Sequence, residues 1–489
     1  MKKIYILCFI SFLLLSLSKN LYSQNNGWSS PLNISNTQYH STSPAMAINK
    51  EGKLFVVWSE WDQPQNDLLA RIYYTTCTGS QWSDPIPITT ELGKADWTPY
   101  IAVDTLGNPH IVWGEWLSGN VFYKYYDGSS WSDPVNVSEQ PGGAYYPCIA
   151  IGNDNTVHIA WHQDGVFYRQ LKDNQWSDKI RLSDTTMSAG SVKLCTDSNG
   201  SVHFTWASLG PNEEEWRIWY RKLENNIFNE PELVYFDTTL HPSSQPDIAV
   251  FNNNLPAIVW SHTTQHGPLP VIRKIFYSEF NGVEWSDAEA VSDSSRSYRP
   301  DISIGGNNVP YLVWDYIVVT PVEDYGDVLF LYKINGNWTI PENLAYQLPF
   351  SSGGAKIVID IENNLYVIWG YGEPSPDPTG EVYYSSHNKI TSVINEKDSL
   401  TVEDFALYQN YPNPFNPLTT IVFSIVKKEK VILEVYDLLG QKVKLLLNDE
   451  IEKGRYKINF NSLGLSSGIY FYKLSTGRNS ITKKMVILQ

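Results

Sequence analysis

Charged residues and cysteine are scarce in this chain of 489 residues, and both shortages limit its functions. Only 18% of the residues are charged, and 52 Asp and Glu outweigh 36 Lys and Arg, which gives a net charge of -16. Nucleic-acid binding needs clustered cations that neutralise phosphates, so we predict no nucleic-acid partner. Hydrophobic residues reach 42% and aromatic residues 14%. This composition excludes a disordered chain and favours β-strands.

Of the four cysteines, Cys8 lies in the amino-terminal apolar run, which leaves Cys77, Cys148 and Cys195. Their number is odd and no C-x-x-C occurs, so the sequence indicates no disulfide framework. At most one pair could form, and small buried strand residues explain all three. The sequence also lacks G-x-S-x-G, H-E-x-x-H and P-loop motifs. We predict neither a cofactor nor a metal site.

The apolar run Ile4–Leu17 is short, and fourteen residues cannot span a bilayer as a helix. It follows Lys2 and Lys3 and precedes a polar stretch that ends at Ser23. This order of a basic start, an apolar segment and a cleavage region is typical of a secretory signal peptide. We therefore predict a signal peptide over 1–23 and a mature chain with no transmembrane segment.

Tryptophan is abundant and recurs at regular intervals in two sets of markers. One set ends an apolar strand and the other lies in a W-S-D-P-like turn. Four short strands in each repeat of about 50 residues are the signature of a propeller blade. The first set is Trp58, Trp113, Trp161, Trp206, Trp260, Trp314 and Trp369, and the second is Trp28, Trp82, Trp131, Trp176, Trp285 and Trp338, with Phe228 standing in once.

The two sets of markers are out of phase along the chain. Residues 28–35 have the pattern of a fourth strand with no blade before it, and the seventh repeat, ending at Tyr384, lacks its own fourth strand. We predict a seven-bladed β-propeller over 24–388 that residues 28–35 close. Such closure pairs the first and last blades and leaves no open seam.

The repeat stops after Tyr384, and a polar linker is predicted over 389–405. Residues 406–489 then hold twelve Lys and Arg against six Asp and Glu, so a basic tail follows an acidic body. Prolines at 412, 414 and 417 favour an extended segment, and short alternating strands follow. The tail therefore predicts a small Ig-like β-sandwich, and the whole chain is predicted to be all-β.

The tail resembles the type A C-terminal sorting domain of the type IX secretion system, from about Leu407 to Leu488. The resemblance rests on YPNPFNP, VYDLLGQKV and SSGIYFYKL, in that order, and on a basic TKK before the last strand. It implies export through the periplasm and recognition by the outer-membrane type IX machinery. The protein would then be secreted or held on the outer cell surface. The alternative is an ordinary accessory sandwich.

The propeller resembles secreted sialidase-like and lectin-like propellers at the level of fold and repeat. The sialidase Asp-box is absent as a repeated element, so no catalytic role is carried over. Loops that join strands two and three, and loops that join blades, should share one face of a propeller. Aromatic rings there could stack on sugars while polar groups bind hydroxyls. The predicted ligand-binding residues are Glu60, Trp61, Trp97, Glu115, Trp116, Tyr146, His162, His262 and Arg299.

Two classes of function remain open, together with a third role as a scaffold for protein contacts. The first class is a module that binds glycan or polysaccharide. The second is a polysaccharide-degrading hydrolase or lyase. Glu60 and Glu115 both lie two residues after a marker Trp in adjacent blades, and glycoside hydrolysis needs paired carboxylates. In the other blades the position two residues after the marker Trp holds other residue types, as expected for a loop position with no function. The catalytic residues therefore stay unassigned.

Overall fold

The computed structural model divides into two compact units, residues 1–389 and 390–489. The predicted signal peptide lies outside the described residues, and so does most of the predicted linker. The described residues are 27–37, 39–61, 69–89, 96–139, 142–185, 189–210, 215–237, 243–265, 272–292, 296–319, 324–334, 336–346, 348, 351–372, 380–387, 394–395, 405–410, 413–415, 418–451, 453–462 and 465–487.

The first three blades are antiparallel sheets formed by consecutive strands. In blades one and three the second-set Trp lies on a short outer strand, and in blade two it comes just before one. Blade one contains β2 (His40–Ile48), β3 (Leu54–Trp61), β4 (Arg71–Thr78), β5 (Gln81–Trp82) and β6 (Ile86–Pro87); blade two contains β7 (Asp96–Val103), β8 (Pro109–Glu115), β9 (Asn120–Tyr125) and β10 (Val135–Asn136); blade three contains β11 (Tyr145–Ile151), β12 (Val157–His162), β13 (Val166–Lys172), β14 (Gln175–Trp176) and β15 (Ile180–Arg181).

Blades four to seven repeat the same order. Blade four contains β16 (Ala189–Thr196), β17 (Val202–Leu209), β18 (Trp216–Glu224), β19 (Ile227–Phe228) and β20 (Glu232–Asp237); blade five contains β21 (Ser243–Val250), β22 (Pro256–Gln265), β23 (Ile272–Glu279) and β24 (Glu289–Ala290); blade six contains β25 (Arg296–Ile304), β26 (Pro310–Val319), β27 (Asp324–Ile334), β28 (Asn337–Trp338) and β29 (Glu342–Asn343); blade seven contains β30 (Ser351–Ile359), β31 (Leu365–Gly372), β32 (Gly380–His387) and, from the amino-terminal end, β1 (Leu32–Asn33).

The blades form a closed ring. The first strand of each blade packs against the first strands of its neighbours, and the cycle closes with β30 against β2. Strand β1 pairs antiparallel with β32, with Leu32 opposite Tyr384. A buried cluster joins Trp58 of blade one to Ile368 and Val382 of blade seven. Burial of this apolar surface between blades stabilises the ring.

The marker tryptophans fill the spaces between blades because each lies on a fully buried second strand. Five of the seven are among the largest completely buried side chains of the described residues: Trp58, Trp161, Trp260, Trp314 and Trp369. The cysteines follow the same principle, since Cys77 and Cys148 are buried on strands and carry free thiols, as does the half-buried Cys195. Small apolar side chains suit such positions.

The second unit is a β-sandwich of two four-stranded sheets. Side chains from both sheets share one core, which includes Phe423 and Tyr472. The all-β prediction of a propeller followed by a sandwich is therefore confirmed. One sheet contains β33 (Ile394–Asn395), β34 (Ala406–Leu407), β35 (Leu418–Ile425) and β38 (Gly454–Asn461); the other contains β36 (Glu429–Tyr436), β37 (Lys442–Ile451), β39 (Gly468–Thr476) and β40 (Ser480–Ile487).

Two of the tail motifs meet in this sandwich. The Tyr472 hydroxyl accepts a hydrogen bond from the backbone N–H of Asn410 and donates one to the carbonyl of Tyr408, both at 2.8 Å. The side chain of Asn413 accepts from the backbone N–H of Val486 at 2.8 Å. The SSGIYFYKL strand thus fixes the segment that leads into YPNPFNP, because buried backbone groups need partners.

Every regular element among these residues is a strand. None of them belongs to a helix that is long and apolar enough to cross a membrane.

Candidate functional site

The inner strand of every blade contains a β-bulge near the end where the blade-joining loops arrive. In each bulge one residue has a positive φ angle, and six of the seven are not glycine. Left-handed backbone costs a residue with a side chain about 1 kcal/mol or more, so the surrounding sheet must impose it. The seven are Ser43, Thr98, Tyr146, Ser191, Gln245, Arg299 and Gly354. Two of the predicted ligand-binding residues, Tyr146 and Arg299, therefore occupy equivalent positions around the ring.

Blades one to three share a contiguous group of aromatic side chains on this face, which we call the aromatic surface: Trp61, Trp97, Trp116, Tyr145 and Tyr146. Ring centroids lie 6.5 Å apart for Trp61 and Trp97, 5.3 Å for Trp97 and Trp116, and 6.4 Å for Trp97 and Tyr146. Trp116 and Tyr145 are 5.1 Å apart. Trp116 is 45% exposed and Tyr146 49% exposed. Four of the predicted site residues are thus brought together.

The aromatic surface contains a shallow depression with a cavity volume of only about 10 Å³. Its lining includes Trp97, Trp116, Tyr145, Tyr146 and the small Gly114. The indole N–H of Trp61 donates to Thr42 Oγ1 at 3.2 Å. That hydrogen bond fixes one ring, while Trp116 and Tyr146 are each about half exposed. Aromatic rings held in this way can stack on the apolar face of a sugar.

Glu60 and Glu115 both serve the protein itself. Glu60 is 0% exposed, and its Oε2 accepts hydrogen bonds from Ser41 Oγ at 2.6 Å and from the indole N–H of Trp58 at 2.8 Å. Glu115 is 5% exposed, and its Oε1 accepts from the backbone N–H of Leu117 at 3.1 Å. One carboxylate satisfies a buried indole and the other stabilises a turn.

The remaining predicted site residues lie in blades three, five and six. Burial lowers the pKa of His162, and the charge of Asp164 partly offsets this effect. The buried His262 is paired with Asp237, with Nε2 and Oδ2 2.8 Å apart. The side chain of Arg299 is 58% exposed and forms an ion pair with the buried Asp315. Arg299 thus presents part of its guanidinium to solvent while Asp315 holds its position.

A channel cluster of five polar side chains lies deeper along the inner strands: Tyr100, Lys193, Asp247, Asp301 and Lys356. The ammonium group of Lys193, in blade four, hydrogen-bonds to the hydroxyl of Tyr100, in blade two. These blades are not neighbours, so the side chains reach across the central channel. Asp247 and Asp301 each accept a hydrogen bond of 2.9 Å from a backbone N–H on the inner strand of the next blade, that of Ile302 and Ile357 respectively. The cluster thereby ties several blades together.

A pocket in blade four was missed by reasoning from the sequence. It is lined by Ser183, Asp184, Ala189, Trp206, Ser208, Trp219 and Pro231, and we call it the blade-four pocket. Trp206 was recognised only as a repeat marker. Trp219 lies opposite it in the register of β17 and β18. Among the residues that the structure describes, no group of three or more His, Cys, Asp and Glu side chains is arranged to hold a metal ion.

Comparison with known proteins identifies the tail. Residues 409–488 match the family described as "Secretion system C-terminal sorting domain". This match confirms the predicted sorting domain, and the protein is therefore exported to the cell surface or the medium. No curated protein sequence matches the chain.

Solved structures similar to the chain include a polysaccharide lyase, Uly1, with 11% identity and a TM-score of 0.48 over 73% of this chain and 94% of the other. A protein of unknown function from Dyadobacter fermentans has 12% identity and a TM-score of 0.43, over 74% and 100%. An α-L-arabinofuranosidase of Fusarium graminearum has 9% identity and a TM-score of 0.41, over 73% and 97%. We therefore argue function from the residues of this chain.

Proposed function

We propose that this exported propeller binds a glycan or polysaccharide on its aromatic surface. One observation carries the proposal: five aromatic side chains from three blades are contiguous, and two of them, Trp116 and Tyr146, are about half exposed. Single exposed aromatic residues are common on protein surfaces, whereas a contiguous exposed apolar patch usually marks a binding site. Flat rings with polar edges suit sugars, which have apolar faces and hydroxyl rims.

The backbone of Tyr146 supports the same conclusion. Its φ angle of +51° lies in the left-handed region, where glycine would be less strained. Blade seven does use glycine at the equivalent position, Gly354. A large aromatic side chain at a strained position is consistent with a functional role.

The carboxylates of Glu60 and Glu115 are hydrogen-bonded within the protein, which favours glycan binding over glycan hydrolysis. A glycoside hydrolase needs two carboxyl groups that face the scissile bond. Glu60 is fully buried beneath Trp58 and Ser41, and Glu115 is occupied by its own turn. Neither carboxylate is offered to a ligand on the aromatic surface, so we assign this pair a structural role.

Export brings the propeller to the place where such ligands are found. The sorting domain carries the protein to the cell surface or the medium, and polysaccharides are abundant there. We infer that the outer-membrane type IX machinery is the partner of the sorting domain. The glycan is the partner of the propeller.

The experiment is affinity electrophoresis of the full mature chain in gels that contain soluble polysaccharides. At least one polysaccharide should retard it, and Trp116→Ala should weaken binding by roughly 1–3 kcal/mol. Tyr146→Gly should also weaken binding, yet it relieves backbone strain, so the thermal midpoint should not fall. Ser191→Gly is the matched control, because Ser191 holds the equivalent bulge position in blade four. The proposal is refuted if Trp116→Ala and Tyr146→Gly are both retarded as strongly as the wild type. Reducing ends and unsaturated products, assayed in parallel, would reveal turnover.

A further inference from the structure

Blade four differs from five other blades in the packing of its marker Trp, as does blade six, where Leu329 lies opposite Trp314. In the five blades the marker Trp stacks on an aromatic side chain directly opposite it on the third strand. Ring centroids of these pairs are 5.8 to 6.3 Å apart, in Trp58–Tyr73, Trp113–Phe122, Trp161–Phe167, Trp260–Phe276 and Trp369–Tyr383. In blade four the residue opposite Trp206 is Trp219, and its indole N–H donates to Ser208 Oγ at 2.9 Å.

The two indoles of blade four line an open cavity. The blade-four pocket has a cavity volume of about 230 Å³. This is below the roughly 300–1,000 Å³ of sites for drug-sized molecules, so the pocket suits only a small ligand. Ser183, Asp184 and Ser208 add hydroxyl and carboxylate groups to the lining, while Ala189 and Pro231 add apolar surface. The aromatic walls and few polar groups of the blade-four pocket suit a small ligand.

We propose that the blade-four pocket binds one neutral sugar residue of the glycan whose other units lie on the aromatic surface. This inference rests on the proposed function and deepens it, because it names a second subsite for the same ligand.

The charges beside the pocket balance, which favours a neutral sugar. The exposed carboxylate of Asp184 can accept hydrogen bonds from hydroxyls. The guanidinium of Arg181 lies next to it, with Nη2 3.4 Å from the Asp184 carbonyl oxygen. Arg217 lies over the ring of Trp219 at 6.0 Å, but its guanidinium is paired with Glu215 at 2.6 Å. That cation is therefore already neutralised by the protein.

Contacts between neighbouring blades connect the pocket to the aromatic surface. Tyr145, at one end of the aromatic surface, lies opposite His162 in the register of β11 and β12. The His162 ring packs against Gly190, where an added Cβ would come within 3.4 Å of it. Gly190 follows Ala189 of the pocket lining. His162 and Gly190 therefore lie between the aromatic surface and the blade-four pocket.

The test is saturation-transfer NMR on the full mature chain with single sugars: D-glucose, D-galactose, D-mannose, D-xylose, L-arabinose and L-fucose, with D-glucuronic and D-galacturonic acid as acidic probes. At least one neutral sugar should bind, and both acids should bind more weakly. Trp219→Ala should reduce its affinity about tenfold or more. Asp184→Ala should also reduce that affinity, and thermal unfolding of both pocket variants checks that the fold is retained. Trp176→Ala is the matched control, since it removes a half-buried Trp at the opposite end of blade three.

Loss of the neutral sugar in both pocket variants, with retention in Trp176→Ala, supports the proposal. Equal binding by wild type and both pocket variants overturns it. If no single sugar binds while polysaccharide still retards the protein in gels, the pocket proposal fails and the proposed function stands. If no polysaccharide retards the protein either, both fail.

Discussion

Lys356 and Asp301 join the inner strands of blades seven and six, with Lys356 Nζ 2.7 Å from Asp301 Oδ1. Asp301 also accepts the backbone N–H of Ile357 through its other oxygen at 2.9 Å. A mostly buried carboxylate with both oxygens in use holds two neighbouring blades in register. The channel cluster is therefore a structural element of the ring.

Removing the cation alone should destabilise the propeller. Lys356→Met would leave Asp301 without its ammonium partner, and breaking a buried ion pair on one side costs about 3–5 kcal/mol. The double variant Lys356→Met with Asp301→Asn should recover most of that loss. Thermal unfolding of the three proteins measures both effects. A single variant as stable as the wild type would show that the pair contributes little.

Asp247 should make stability depend on pH. The pKa of Asp247 is raised to about 7, chiefly by burial and also by the charge of Asp301, while the charges of Lys193 and Lys356 oppose the shift. In the unfolded chain the carboxyl has a pKa of about 3.9. Between these values the folded protein retains a proton that the unfolded chain has lost. Stability should therefore fall as pH rises from about 4 to about 7.

The variant Asp247→Asn isolates this effect. The amide oxygen can still accept the backbone N–H of Ile302, which Asp247 accepts at 2.9 Å. The variant should lose the decline between pH 4 and 7 and should be at least as stable as the wild type at pH 8. Melting temperatures across that range provide the measurement. An unchanged slope would assign the decline to other groups.

Glu60 should prove structural. Glu60→Gln keeps an acceptor for the indole N–H of Trp58, so thermal stability and polysaccharide binding should both be retained. Glu60→Ala leaves the Trp58 indole and the Ser41 hydroxyl buried without this acceptor, which should cost about 1–3 kcal/mol. Thermal unfolding and gel retardation separate the two variants. Loss of a polysaccharide-cleaving activity in a stable Glu60→Gln variant would revive the hydrolase alternative.

The propeller architecture was predictable because the marker Trp residues recur at regular intervals along the chain. The blade-four pocket was not predictable because it occurs in one blade and leaves no repeating pattern in the sequence. In the sequence Trp219 looks like any strand aromatic, and only the structure shows that it lines a pocket with Trp206. The acceptors of the marker indoles were equally hidden, since Trp58 uses Glu60 and Trp113 uses Asp96 on another strand. The bulges did leave a signal in the sequence. A proline follows the bulge residue in five blades, fourteen positions before the marker Trp, as at 44 and 58 or 99 and 113.

Residues 27–35 should be required for a stable ring. The backbone N–H of Val382 donates to Ser35 Oγ at 2.9 Å, and Ser29 and Ser386 share a backbone hydrogen bond of 2.8 Å. A chain that begins at Asn36 would expose the edge of β32 and should melt several degrees lower or aggregate. The control is the chain that begins at Gln24. Identical melting curves would show that closure contributes no stability.

The sorting domain should determine where the protein goes without affecting what the propeller binds. The propeller closes with its own strand β1, so deleting 390–489 should leave the melting of the propeller and its polysaccharide binding unchanged. The shortened protein should accumulate in the periplasm of a host that has the type IX machinery, because it keeps the predicted signal peptide but lacks the domain that matches at 409–488. The reciprocal test fuses 390–489 to a reporter that carries a signal peptide, and fractionation should find the reporter at the surface or in the medium. A periplasmic reporter, or surface delivery of the shortened protein, would contradict the assignment.

The same reporter fusion with Tyr472→Phe tests a single contact within the sorting domain. It removes the hydroxyl that contacts Tyr408 and Asn410, and it should lower export if that segment must be held in place for recognition.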